Sequence, residues 1–130
     1  MMPGRMTAAD PPYKFFFTMT LRILEDSADL LRIELAGALD ISGVREIDTR
    51  FLAQVSPAKR SVMVDFSKVT FLASYGMRML FEAIKALERQ GRKLVILKPQ
   101  PAVAKVLEIG GVNEFAIISF DEVDARAKAC

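Results

Sequence analysis

The stretch from Val62 to Leu87 limits this chain more than any other. It opens with a continuous apolar run, Val62-Met63-Val64, and passes through a polar break at Ser67-Lys68. A second apolar run, Val69 to Leu72, follows. The spacing then changes. Met77, Leu80, Phe81, Ile84 and Leu87 recur at i, i+3, i+4, i+7, the apolar stripe of an amphipathic helix. A strand with no polar face must be covered on both sides, and a helix that follows it directly is the natural cover. At the junction stand Ser74 and Gly76. A hydroxyl delivered there lies beside unpaired backbone N–H groups and the positive end of the helix dipole. That setting tolerates negative charge, a phosphate included. Ser74 is therefore the candidate chemical point. Serine is also a preferred helix cap, worth about 1 kcal/mol over alanine, and this structural role needs no chemistry. Gly76 fits either role, by relieving crowding in the first turn or by letting another chain or a phosphate approach.

The rest of the chain supplies partners for this unit. Residues 1–14 have Pro, Gly and Ala without an apolar period and are expected to form a flexible leader, ahead of one domain over 15–127. Phe15 to Leu24 has strand composition, Glu25 to Asp29 is a polar turn, and Leu31, Ile33 and Leu35 alternate with Arg32 and Glu34. Two strands so joined predict an antiparallel hairpin. Gly37 and Gly43 punctuate the next segment, where Asp40 and Ser42 are candidate caps of a helix carrying Val44, Ile47, Phe51 and Val55 on one stripe. Ser56-Pro57 ends that helix, and Ser61 to Phe66 is the central strand, with Ser67 to Leu72 a turn and a short extended piece. Gly91 stops the helix after Gly76. Lys93 to Leu97 is another strand, Pro101 opens a short helix, and Phe115 to Phe120 is a last strand, with Asp121 capping a terminal helix. The order β-β-α-β-α-β-α-β-α predicts an α/β fold: one mixed sheet of about five strands with four helices packed against it.

Composition removes several functions. The chain has 130 residues, 52% of them hydrophobic, enough for one domain with a real core. Lys and Arg number 18 against 16 Asp and Glu, without blocks of like charge, which argues against a nucleic-acid partner. With no histidine there is no Ser-His-Asp triad and no ordinary zinc site. The one cysteine, Cys130, ends the chain, cannot form an intramolecular disulfide and points to a reducing compartment. Apolar runs fall short of the roughly 20 residues a membrane span needs. The expectation is a cytoplasmic protein with no catalytic residues, no metal, no cofactor and no membrane association.

Around Ser74 the candidates are interaction residues. Tyr75 is an interface anchor or a surface aromatic. Asp40 is a cap or a polar neighbour of Ser74, since sites gather beyond strand ends in such sheets. Met77 and Met79 belong to core or partner surface, with Met79 between the apolar stripe and the polar side. Arg78 is a solvated charge or the rim of that surface.

The run V-D-F-S-K-V-T-F-L-A-S-Y-G-M-R-M-L resembles the signature segment of STAS domains, the anti-sigma factor antagonist fold named also for sulfate transporters. L-A-G-A-L-D before the first helix and G-R-K-L-V-I-L-K-P-Q-P-A-V-A-K-V-L-E-I-G-G-V near the end extend the likeness over residues 18–127. The resemblance implies a binding module, not an enzyme. In antagonist members an anti-sigma factor of the GHKL serine kinase type binds the unphosphorylated protein and phosphorylates a serine of this segment, which ends binding. One version of the motif reads D-S-S-G, against Ala73, Ser74, Tyr75 and Gly76 here. Another reads S-A-G-L-R, which S-Y-G-M-R resembles with Tyr75 in place of Ala. The likeness therefore implies Ser74 as acceptor, with Asp40, Tyr75, Gly76, Met77, Arg78 and Met79 as partner-binding residues. Such domains also occur as unphosphorylated scaffold subunits of transport or sensory complexes, which the departures at Ala73 and Tyr75 favour. A small-molecule sensor is a third class, and a homodimer is left open.

Overall fold

The computed structural model describes residues 19–129. The leader expected over 1–14, the strand start at Phe15 to Phe17 and Cys130 lie outside the described residues. Strands β1 (Thr20–Asp26) and β2 (Leu30–Leu39) form the expected antiparallel hairpin. Next come α1 (Ile41–Val55), β3 (Ser61–Leu72), α2 (Ser74–Glu88), β4 (Leu94–Leu97), α3 (Pro101–Ile109), a 3-10 turn (Val112–Glu114), β5 (Ile117–Ser119) and α4 (Glu122–Ala129). The spatial order is β1-β2-β3-β4-β5, with every pair after the hairpin parallel. The carboxyl ends of β2 to β5 therefore share one edge, and α1 and α2 both begin there.

One face of the sheet carries the main core. Leu31, Ile33, Leu35, Val62, Val64, Phe66, Leu94 and Ile96 meet Val44, Ile47, Phe51 and Val55 of α1, Leu80 and Ile84 of α2, and Val103 and Leu107 of α3. Burial at this scale, about 25 cal/mol per Å² of apolar surface, is the main force for folding. The other face holds a smaller cluster, Leu30, Met63, Val95 and Leu97, beneath Ala125 of α4. The central strand is thus covered on both sides, as its continuous apolar run requires.

α4 is a mostly polar helix whose one buried residue is Ala125, and two ion pairs tie it to the hairpin. Glu122 reaches Arg32 at 2.7 Å, and Arg126 reaches Glu25 at 2.6 Å. The hydrogen bond from the arginine holds each of these carboxyls below its usual range.

Two strands run further than expected. Ser67 to Leu72 is the second half of β3, with no turn between. The register against β2 slips between Asp65 and Lys68 and again between Val69 and Phe71. At the first slip Asp65 Oδ1 accepts hydrogen bonds from the Ser67 amide at 2.9 Å and the Ser67 hydroxyl at 2.7 Å. The polar break is therefore a bulge in a continuous strand, locked by its own aspartate. β2 likewise continues to Leu39 through Gly37, whose φ of 117° suits a residue without Cβ. The last strand is shorter than Phe115 to Phe120: Phe115 closes the 3-10 turn, its amide donating to the Val112 carbonyl at 3.0 Å, and its ring packs edge-on against Phe81 with centroids 6.0 Å apart.

Candidate functional site at the carboxyl edge of the sheet

α1 and α2 start by the same local plan. Leu39 and Leu72 are register partners at the ends of β2 and β3, and the Ala73 amide donates to the Leu39 carbonyl at 3.1 Å. Asp40 and Ala73 are the two helix caps, both in extended conformation, and each is followed three residues later by glycine, Gly43 and Gly76. A Cβ on Gly43 would clash with the Ala38 carbonyl oxygen. One on Gly76 would lie 2.6 Å from Leu72 Cδ1 and 2.9 Å from Leu39 Cβ. Both glycines let a helix start pressed against the strand ends. Gly76 is buried, so it serves this contact and offers no surface to a partner.

The two starts differ in their caps. Asp40 Oδ1 accepts a hydrogen bond from the Gly43 amide at 2.8 Å, so Asp40 closes its own helix. α2 has no side-chain cap and no acidic residue in its first turn. Ser74 is not the cap: it is the first helical residue, one position later, and its side chain is exposed. Ala73 occupies the capping position, so the structural role assigned to serine is unfilled and the Ser74 hydroxyl faces solvent.

Tyr75 follows, half-exposed, between two depressions. A shallow hollow of about 270 Å³ is lined by Ser74, Tyr75 and Arg78. A groove of about 300 Å³ between α1 and α2 is lined by Ile41, Val44, Arg45, Asp48, Tyr75, Arg78, Met79 and Glu82. Tyr75 and Arg78 belong to both. Arg78 Nε lies 3.6 Å from Glu82 Oε1, and the Arg78 side chain is 78% exposed, so this is a loose pair. Met79 is 2% exposed and joins the main core, which corrects its placement on a partner surface; only the groove floor touches it. Met77 is half-buried and reaches toward Gly110 at the end of α3. Among the described residues no cluster of His, Cys, Asp or Glu is arranged to hold a metal ion, and no helix is long and apolar enough to cross a membrane.

A family model described as "Mlab, STAS domain" matches residues 24–119. The chain belongs to the STAS domain family. It is 26% identical over 109 residues to BtrV of Bordetella bronchiseptica, a candidate anti-sigma factor antagonist, covering 82% of this chain and 94% of that one. It is 24% identical over 97 residues to the anti-sigma-B factor antagonist of Staphylococcus aureus, covering 74% and 90%. Among solved structures it is similar in fold to the anti-sigma factor antagonist SpoIIAA in its unphosphorylated form, with a TM-score of 0.68 and 20% identity over 82% of this chain and 93% of that one. The phosphorylated form of Bacillus SpoIIAA gives a TM-score of 0.64 at 19% identity, over 85% and 100%.

In this STAS domain the sheet edge brings Ser74, Tyr75 and Arg78 to one surface, while Asp40 caps the neighbouring helix. It withdraws Gly76 and Met79 into the interior. Sequence reasoning missed Ile41, Arg45, Asp48 and Glu82, which line the groove, and Phe71, which is 53% exposed at the end of β3. A signal for Ile41 was present. D-I-S-G and A-S-Y-G place Ile41 and Ser74 at equivalent positions of equivalent helix starts.

Proposed function

We propose that this STAS domain is an anti-sigma factor antagonist whose binding to a GHKL-type anti-sigma factor kinase ends when Ser74 is phosphorylated. The observation that carries the reading is the exposed Ser74 hydroxyl at the first position of α2, beside a half-apolar groove and free of any capping duty. The antagonist names of the relatives support the class of partner. In the transfer step the Ser74 oxygen bonds to the γ-phosphorus of ATP as the bond to the β,γ-bridging oxygen breaks. ADP leaves, and the hydroxyl proton passes to a base of the kinase. The product carries about −1.5 to −2 charge and three acceptor oxygens. A helix start tolerates that charge without unfolding. A close interface does not, because the phosphate must be desolvated and repels acidic partner groups.

The test is incubation with candidate kinases and ATP, intact-mass measurement, and binding of variants. Phosphate mapped to Ser74, weaker binding by Ser74→Asp and retained binding by Ser74→Ala are expected. Equal affinity of the two variants refutes the switch. Tyr75, half-exposed where the motif has a small residue, favours a second reading: an unphosphorylated scaffold subunit of a transport or sensory complex. Stable association with a transporter ATPase and no added mass would select that one.

A further inference from the structure

We propose that Arg78 gives up its contact with Glu82 and clamps the phosphate of phosphorylated Ser74 within the same helix. This rests on the reading of Ser74 as the phosphorylated residue. Ser74 and Arg78 are four residues apart on one helix, so their side chains share a face one turn apart. Together with Tyr75 they line the hollow beside the hydroxyl. The order is favourable, because an anion one turn amino-terminal to a cation is the stronger arrangement on a helix. Arg78 is free to move: its pair with Glu82 is 3.6 Å long and mostly in water. A phosphoserine dianion offers the guanidinium a charge-assisted, bidentate site that the single Glu82 contact does not match.

The exchange carries the signal further than the phosphate itself reaches. Arg78 also lines the groove between α1 and α2, where Arg45 and Arg78 balance Asp48 and Glu82. Once Arg78 turns to the phosphate, Glu82 and Asp48 face Arg45 alone. The groove becomes acidic one helical turn away from the modified residue, and a partner matched to the balanced groove meets a changed surface.

The experiment uses the full chain with phosphoserine incorporated at position 74 during translation, so its result does not depend on a kinase choosing that serine. The phosphate is titrated by phosphorus-31 NMR. The charged groups around it are Arg78 and Glu82 on α2, Arg45 and Asp48 across the groove on α1, and Asp40 at the neighbouring cap. With the clamp, the parent's phosphate titrates below its ordinary value near 6, and Arg78→Gln raises it back toward that value by about 0.15 to 0.4 pH unit. Arg45→Gln shifts it by less than half as much, and Glu82→Gln lowers it by more in the parent than beside Arg78→Gln, where only the lost repulsion remains. If Arg78→Gln titrates with the parent protein, or Arg45→Gln shifts it equally, the clamp is refuted. No change in Glu82→Gln, or an equal change beside Arg78→Gln, refutes the exchange. Absence of kinase modification at Ser74 would overturn the proposed function and leave this measurement with its own answer.

Discussion

Replacing Ala73 by Asp or Asn tests the view that the start of α2 lacks a cap. The structure contains its own control. Asp40 and Ala73 have φ, ψ of −91°, −172° and −110°, 178°, close enough for one side-chain geometry to serve both. Asp40 reaches the Gly43 amide at 2.8 Å, and the equivalent amide on α2 belongs to Gly76. Ala to Asn or Asp at such a position is worth about 1 kcal/mol. A carboxylate adds about 0.3 to 1 kcal/mol from the helix dipole. It gives back a few tenths of a kcal/mol by repulsion from Asp40 at the neighbouring helix start, in a solvent-like dielectric. Both variants should therefore gain about 1 kcal/mol, or about 3–5 °C in Tm for a domain of this size. Thermal and urea unfolding at two salt concentrations measure it. Agreement of Asn with Asp identifies a missing hydrogen bond as the cause. A Tm unchanged or lowered in both would mean that the Gly76 amide is already satisfied, and the reasoning would fail.

Other outcomes follow from packing and charge. Gly76→Ala should cost about 1–3 kcal/mol by overpacking, because its Cβ would press on Leu72 and Leu39. A urea midpoint equal to the parent's would refute the close junction. Acidification should loosen the sheet face beneath α4. Burial pushes the Asp65 carboxyl up, but hydrogen bonds from the Ser67 hydroxyl and amide, with Arg32 beside it, bring the net position below the usual range. Arg32 likewise lowers Glu122. A lowered folded pKa contributes stability that is complete above the unfolded value, about 4, and is lost as pH falls through the folded one. Arg32→Met should therefore flatten the loss of stability below about pH 4, and parallel curves for variant and parent would overturn this account.

Much of the architecture was legible because it depends on local spacing. Alternation in Leu30 to Leu35, the unbroken run Val62 to Val64 and the helical stripes of Val44 to Val55 and Leu80 to Leu87 each have one economical way to be buried. Their order then implies parallel crossovers, and the motif around Ser74 was enough to suggest the family. The interruption at Ser67-Lys68 misled because a turn and a bulge look alike in one strand. The distinction depends on whether β2 stays paired alongside, and β2 does. Met79 lies between the stripe and the polar side of its helix, so its burial depends on how closely α1 packs against α2, a long-range fact.

At the site the division is similar. The sequence alone determined that a serine and a glycine stand where a buried strand becomes a helix, because hydrophobic period and helix-start chemistry are written residue by residue. Tertiary structure decided what each residue does there. It put Ala73 at the cap and moved Ser74 into the first turn. It pressed Gly76 onto Leu39 and Leu72, and set Tyr75 and Arg78 between a hollow and a groove made by a second helix. Those roles depend on distances between strand ends that are far apart along the chain, and only packing brings those ends together.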